Sequence, residues 1–165
     1  MNKQELINEF IRESENTKRL LEAIPNSALD WKPSAKNWST GQLASHIVAI
    51  YDWCKAVINQ SELNLDNYHY EREDISSVDN IINKFEENVR NARKSLELFD
   101  ESEINDSWKM TKNGFEIIPP TPKGEIIRYV LYNHIYHHRG QLITYLRATG
   151  NDVPGLYGPT GNTGS

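Results

Sequence analysis

The sequence contains a single cysteine, Cys54. One thiol cannot close an intrachain disulfide, nor can it build a Cys₂His₂ or Cys₄ zinc site. Positive charge is also in short supply. Eighteen Lys and Arg stand against 23 Asp and Glu, a formal net charge of -5, which argues against a nucleic-acid surface built on broad basic attraction. No apolar run approaches the roughly 20 residues that cross a bilayer. The start, Met1-Asn2-Lys3-Gln4-Glu5, moves directly into a charged amphipathic pattern without the apolar segment of a secretory signal. A soluble, reduced, cytoplasmic protein with no membrane or nucleic-acid partner is the expectation. Its 165 residues suffice for one domain with a core of its own. What the chain does have is histidine: His46, His69, His134, His137 and His138, the last three within five positions.

Apolar residues recur at three- and four-residue spacing in four segments, the mark of amphipathic helices. The first runs from Lys3 to Ile24, opened by an Asn2/Glu5 capping box and ended by Pro25. The second follows Ser39, with Gln42 as its capping partner and Trp38 and Leu43 as a hydrophobic staple. Its stripe holds Leu43, His46, Ile47, Ile50, Cys54, Val57 and Ile58. The third spans Val78 to Phe99. The fourth is expected from Thr121, as cap, and Pro122, at the first helical position, to Thr149, with Gly150 just past its end. Between the second and third lies a polar, acidic connection, 59–77. A connection of that length permits consecutive helices to run parallel. Trp108 to Ile118 alternates apolar and polar residues around Asn113-Gly114, which predicts a β-hairpin. The tail, 151–165, is too rich in Gly and Pro for regular structure, with Leu156 and Tyr157 placed to tuck it onto the helices. The reading is an all-α four-helix bundle with a small β-hairpin before the last helix.

Residues four apart on a helix differ by only about 40° in direction, so His134 and His138 lie one above the other on the inner stripe of the fourth helix. His46 lies on the inner stripe of the second. A lone core histidine is ordinarily a hydrogen-bonded packing residue. Three together forfeit about 1–3 kcal/mol for each polar group left unsatisfied, and sharing a cation relieves that cost. Neutral imidazole suits Zn²⁺, Ni²⁺, Cu²⁺ or Fe²⁺. Three protein ligands leave a position open, as catalytic sites do. Gln141, one turn past His138, is placed to orient a histidine or a bound water. His137 falls at the bundle edge, as a supporting group or a substrate contact. His69 reads as a solvated loop residue, Cys54 and Tyr145 as core, and Arg139 as a surface or subunit-contact ion pair. Gly140, costly inside a helix, implies close approach of a neighbouring backbone.

The run Asn133-His134-Ile135-Tyr136-His137-His138-Arg139-Gly140-Gln141-Leu142, with Tyr145-Leu146-Arg147 after it, resembles the last helix of the DinB-like (DinB/YfiT) metalloproteins. Trp38-Ser39-Thr40-Gly41-Gln42-Leu43-Ala44-Ser45-His46-Ile47 resembles the motif that carries that family's first histidine, and Pro154-Gly155-Leu156-Tyr157-Gly158-Pro159 resembles its tail. The resemblance covers nearly the whole chain. It implies an up-down-down-up bundle, a divalent metal, often Zn or Ni, on His46, His134 and His138, and a homodimer. It also implies a thiol-dependent S-transferase or isomerase, since characterised members use bacillithiol, mycothiol or glutathione.

Three functions compete at this point. The first is a thiol-dependent S-transferase that conjugates a small-molecule thiol to a small electrophile in a detoxification-type reaction, with the sulfur brought in by the cosubstrate. The second is a metal-dependent hydrolase using a metal-bound water. Neither histidine motif contains an Asp or Glu to serve as base, unlike H-E-x-x-H. The third is a non-catalytic metal-binding bundle.

Overall fold

A computed structural model describes residues 2–161. Four long helices and a small three-stranded sheet make up the described chain. Helix α1 is Lys3–Glu22, α2 is Thr40–Asn59 and α3 is Val78–Leu98. Helix α4 is built in three consecutive pieces: an α-helical turn Lys123–Ile126, a π-helical stretch Ile127–Tyr132 and a regular α-helix Asn133–Ala148. The sheet contains β1 (Glu62–Asn64), β2 (Ser107–Lys112) and β3 (Phe115–Pro122).

The helix starts follow their capping chemistry. Asn2 with Glu5 and Ser39 with Gln42 both form reciprocal capping boxes, each worth about 1 kcal/mol. Ser77 caps α3 through the Asn80 amide, a cap the sequence reading passed over. Gly150, at φ 75°, stands just past the end of α4, where the left-handed backbone favours glycine. α2 packs on both α3 and α4, and α1 packs on the same two. Their shared core includes Leu6, Phe10, Leu20, Ile47, Ile50, Phe85, Ile135 and Leu142, all essentially out of water. Phe10, Tyr51 and Phe85 meet edge to face through its centre, at 5.7 and 5.0 Å between ring centroids; such pairs add to simple area burial.

The hairpin forms at Asn113-Gly114, where both residues have positive φ (51° and 77°), as a two-residue I′ turn requires. Two features of this region differ from expectation. The connection 59–77 is not wholly irregular, because Glu62–Asn64 pairs in parallel with Lys109–Thr111. The fold is therefore mostly helical with a three-stranded sheet, not all-α with an isolated hairpin. Thr121 and Pro122 also belong to β3, opposite Trp108 and Ser107, so Thr121 does not cap the helix and Pro122 stands at the cap position, not at the first helical one. Ladder pairing of residues 121 and 122 wins over helix entry, and α4 begins at Lys123 with no side-chain cap.

The sheet is fastened to the helices at the end of α2. Trp108, fully buried, donates from its indole to the Ala56 carbonyl at 3.4 Å. Lys123 is buried too; its ammonium donates to the Ile58 carbonyl at 3.0 Å and pairs with Glu103 at 2.8 Å. A cation on the last carbonyls of a helix is favourable. Here it also locks the start of α4 to the end of α2, the two helices that carry the histidines. No helix among the described residues is long and apolar enough to cross a membrane.

Two expectations for α4 are overturned. Arg139 is not at the surface: it is 2% exposed and bridges Glu13, itself 2% exposed, at 2.6 Å. Five positions past His134, Arg139 points about 140° from it on the helix, and that direction leads into the packing against α1. Gly140 has no close neighbour, for a Cβ there would meet no heavy atom within 4 Å. Gly140→Ala should therefore stabilise the protein by about 1 kcal/mol, the helix-propensity difference. Urea unfolding measures it, and a destabilised variant would contradict the open surface at this position.

Candidate metal centre

His46, half-buried, shares a face of α2 with Leu43 and Ile47, both buried. His134 and His138 project from α4 just beyond the π-helical stretch. A π stretch widens the turn and offsets the helix face that follows, and such stretches recur at functional sites. Tyr132, the last residue of the stretch, donates to the Leu6 carbonyl at 2.8 Å, which fixes the rotation of α4 against α1 immediately before His134.

The three sequence-derived candidates come together. One ring nitrogen from each of His46, His134 and His138 lies within 4.8 Å of the others. The Nε2 atoms of His46 and His134 are 3.2 Å apart. Four-coordinate zinc at about 2.0–2.1 Å from nitrogen sets its ligands roughly 3.3 Å apart, so this pair already has the right spacing. His138 Nδ1 donates to Gln141 Oε1 at 2.8 Å. That bond fixes the tautomer and leaves His138 Nε2 with its lone pair free. The donor set is three neutral imidazoles, which fits a divalent transition-metal ion, and the group could hold one. His137 and His69 lie outside it and are exposed.

Electrostatics prepare the same state. Burial lowers the His46 and His134 pKa values to about 4, with help from the neighbouring imidazoles. Burial also lowers His138, against an opposing hydrogen bond to Gln141. Metal ligands must be deprotonated, and these rings are neutral at pH 7. The sign of the linked effect follows. An unfolded imidazole takes its proton near 6.5 while His46 and His134 take theirs only near 4, so the unfolded chain binds more protons between those values. The metal-free protein should lose stability as pH falls from about 6.5 to about 4. Melting temperature against pH in the presence of a chelator checks this, and His46→Phe should flatten the slope.

The supporting residues extend beyond the three rings. Gln141 turns its amide Nε2 to His137 Nε2 at 3.1 Å, so it links the buried His138 to the exposed His137. Trp38 stands over His46 at 4.8 Å between centroids and reaches His138 at 6.2 Å. Trp53 faces His134 at 5.7 Å and meets His46 edge-on at 6.1 Å. The sequence reading missed this role for both tryptophans. Trp53 was accessible to it, since seven residues from His46 is two helical turns and the same face. Asp52 is turned elsewhere; it accepts from Tyr68 at 2.6 Å and pairs with Lys55 at 2.6 Å, so it offers no carboxylate to the imidazoles. Cys54 is buried, as expected, and burial pushes its pKa up to about 12.

Fold and site together define a class: a mostly helical protein in which two helices bring three imidazoles to one point. The sequence profile of the DinB family matches residues 1–163, and the chain belongs to the DinB family. The protein YrdA of Bacillus subtilis (strain 168), described as uncharacterized, is 24% identical over 147 residues, which is 89% of this chain and 83% of that protein. Among solved structures, a DinB-like protein from Bacillus subtilis (YjoA) superposes with a TM-score of 0.73 at 18% identity, covering 92% of this chain and 97% of that one. A DinB-like protein from Bacillus cereus ATCC 10987 gives 0.69 at 20% identity, covering 92% and 95%. These likenesses establish the fold.

Proposed function

We propose that this protein is a metal-dependent S-transferase that joins a low-molecular-weight thiol to a small electrophile. It would fold as one domain with its helices up-down-down-up, act as a cytoplasmic homodimer, and hold Zn or Ni on His46, His134 and His138. One observation carries the reading. Three neutral imidazoles converge within 4.8 Å, while the chain's own cysteine is buried and kept as a thiol, so the reactive sulfur has to arrive from outside. What the bound cation supplies is Lewis acidity, which favours the thiolate form of a coordinated thiol, the nucleophilic form.

The chain's residues do the rest. Gln141 holds His138 in the tautomer that presents Nε2. Trp38 and Trp53 shield the imidazoles from water on two sides, which strengthens electrostatic interactions there. His137, exposed at the rim, is placed to touch substrate. The sulfur gives its electron pair to the electrophilic carbon, the displaced group leaves with the bonding pair, and the thiol proton goes to solvent. The test is turnover of an activated aryl halide by protein reconstituted with Zn or Ni, across bacillithiol, mycothiol and glutathione. A rate that needs both thiol and metal is expected. No metal-dependent rate with any thiol overturns the reading. Thiol-independent cleavage of ester probes would point to hydrolysis, and chelation that lowers the melting temperature without turnover of any probe would point to a metal-stabilised bundle.

A further inference from the structure

An apolar groove leads away from the histidine cluster. Its near part is a cleft of about 450 Å³ walled by Trp53, Met110, Ile118, Val130, His134 and His137. Its far part, about 690 Å³, lies between the hairpin and the start of α4, over Ile104, Ile117, Pro119, Pro122 and Ile126. Ile118, Tyr129 and Asn133 line both parts, so the two adjoin, and His134 of the cluster stands at the near end. Its size suits a small-molecule site, and such sites are mostly apolar with a few polar groups that set orientation. Here the imidazoles of His134 and His137 stand at the near end, and Asn105, Thr121, Glu125 and Arg128 are polar members of the far lining. Ile117 and Tyr129 are left 54% and 75% exposed along its edge, and apolar side chains grouped in water mark a binding surface. The cation that borders the groove, Arg128, is already paired with Glu9, and Glu125 lines the far part. An anionic tail would find no partner there.

The geometry points to this groove as the seat for the uncharged apolar part of the substrate, an alkyl or aryl chain whose reactive carbon lies at the His134 end. That the reactive carbon is electrophilic rests on the function proposed above, whereas the preference for an apolar chain rests on the groove alone. Continuity with the imidazoles favours a small molecule over a second copy of the chain, because a ligand lying along the groove presents its head to the cluster.

The experiment titrates the full-length protein with butyl, hexyl and octyl hydroxamates, followed by tryptophan fluorescence, with and without metal. The hydroxamate head binds a metal whether or not the protein uses thiols. Affinity should rise about three- to fourfold for each added methylene, and the rise should persist, from a weaker starting point, in metal-free protein. Ile117→Asp and Tyr129→Asp change exposed residues and should keep the fold by circular dichroism while flattening the series. Equal affinity across the three probes in the unaltered protein overturns the assignment, as does a gradient that both variants leave unchanged. Concentration-dependent association that both variants abolish, with a flat series, would give the groove to a second copy instead. Absence of thiol turnover with the gradient intact would overturn the transferase reading and leave the groove standing.

Discussion

Changing either His134 or His138 to alanine is expected to remove most bound metal after dialysis, with affinity falling at least about a hundredfold. The bound is set by the supporting residue, because partners of metal-ligating histidines typically account for 10–100-fold in affinity and a ligand must account for more. The two residues lie one turn apart on α4 and share the site with His46 from α2, so each variant leaves only two imidazoles. Gln141→Leu supplies the intermediate case. It keeps all three rings but removes the acceptor that holds His138 Nδ1 at 2.8 Å, and should weaken binding about 10–100-fold. His69→Ala, in the exposed connection, should change nothing. Competition with a chromophoric chelator ranks the four, and full occupancy in both histidine variants would refute the site.

The second large effect concerns stability. Arg139 and Glu13 are each 2% exposed. Around them, Arg139 Nη1 donates to the Glu13 carbonyl at 3.1 Å, and the Tyr157 hydroxyl donates to the Glu13 carboxylate at 2.6 Å. Burial disfavours the Glu13 charge, but the hydrogen bonds from Tyr157 and Arg139 outweigh it and hold the carboxyl below its usual range. Removing Glu13 strands the buried Arg139 charge, and removing Arg139 leaves Glu13 only the exposed Arg12 at 3.2 Å as a cation; loss of one member of a buried pair costs about 3–5 kcal/mol. Glu13→Ala and Arg139→Ala should each lower the melting temperature by roughly 6–20 °C in a chain of this size. The double variant Glu13→Leu/Arg139→Met, which removes both charges and keeps volume, should recover most of the loss. Urea denaturation measures the three, and losses under about 1 kcal/mol in both single variants would show that the pair is not a structural anchor.

The same residues show what could be read before the structure. Ser39 with Gln42 and Asn113-Gly114 carry their chemistry within four residues, so the start of α2 and the hairpin turn were legible. The histidine cluster was legible because i,i+4 spacing and an apolar stripe are local patterns as well. Strand β1 was not, since three residues, Glu62–Asn64, hold too little alternation to register, and their pairing depends on a strand more than 40 positions away. The π-helical stretch leaves no periodic trace in Ile127–Tyr132. Arg139 misled because a charged side chain pointing away from one site reads as a surface or subunit-contact ion pair. Glu13 held the missing clue: it falls between Phe10 and Thr17 on the buried stripe of α1, and a carboxylate there calls for a cation.

The placement of the three imidazoles also bears on the order of events during folding. His46 and His134 are 88 residues apart in sequence, and the anchor for α4 at Glu13 is 126 residues from Arg139. Helices α1 to α3 need only nearer neighbours to begin packing, while these long-range closures carry the larger entropy cost. A nascent chain that has reached Asn133 carries one of the three ring donors. Capture of a metal ion by the proposed site would thus be tied to the docking of the last helix, and a ribosome-bound or truncated chain lacking it would pass through a metal-rich compartment without forming the centre.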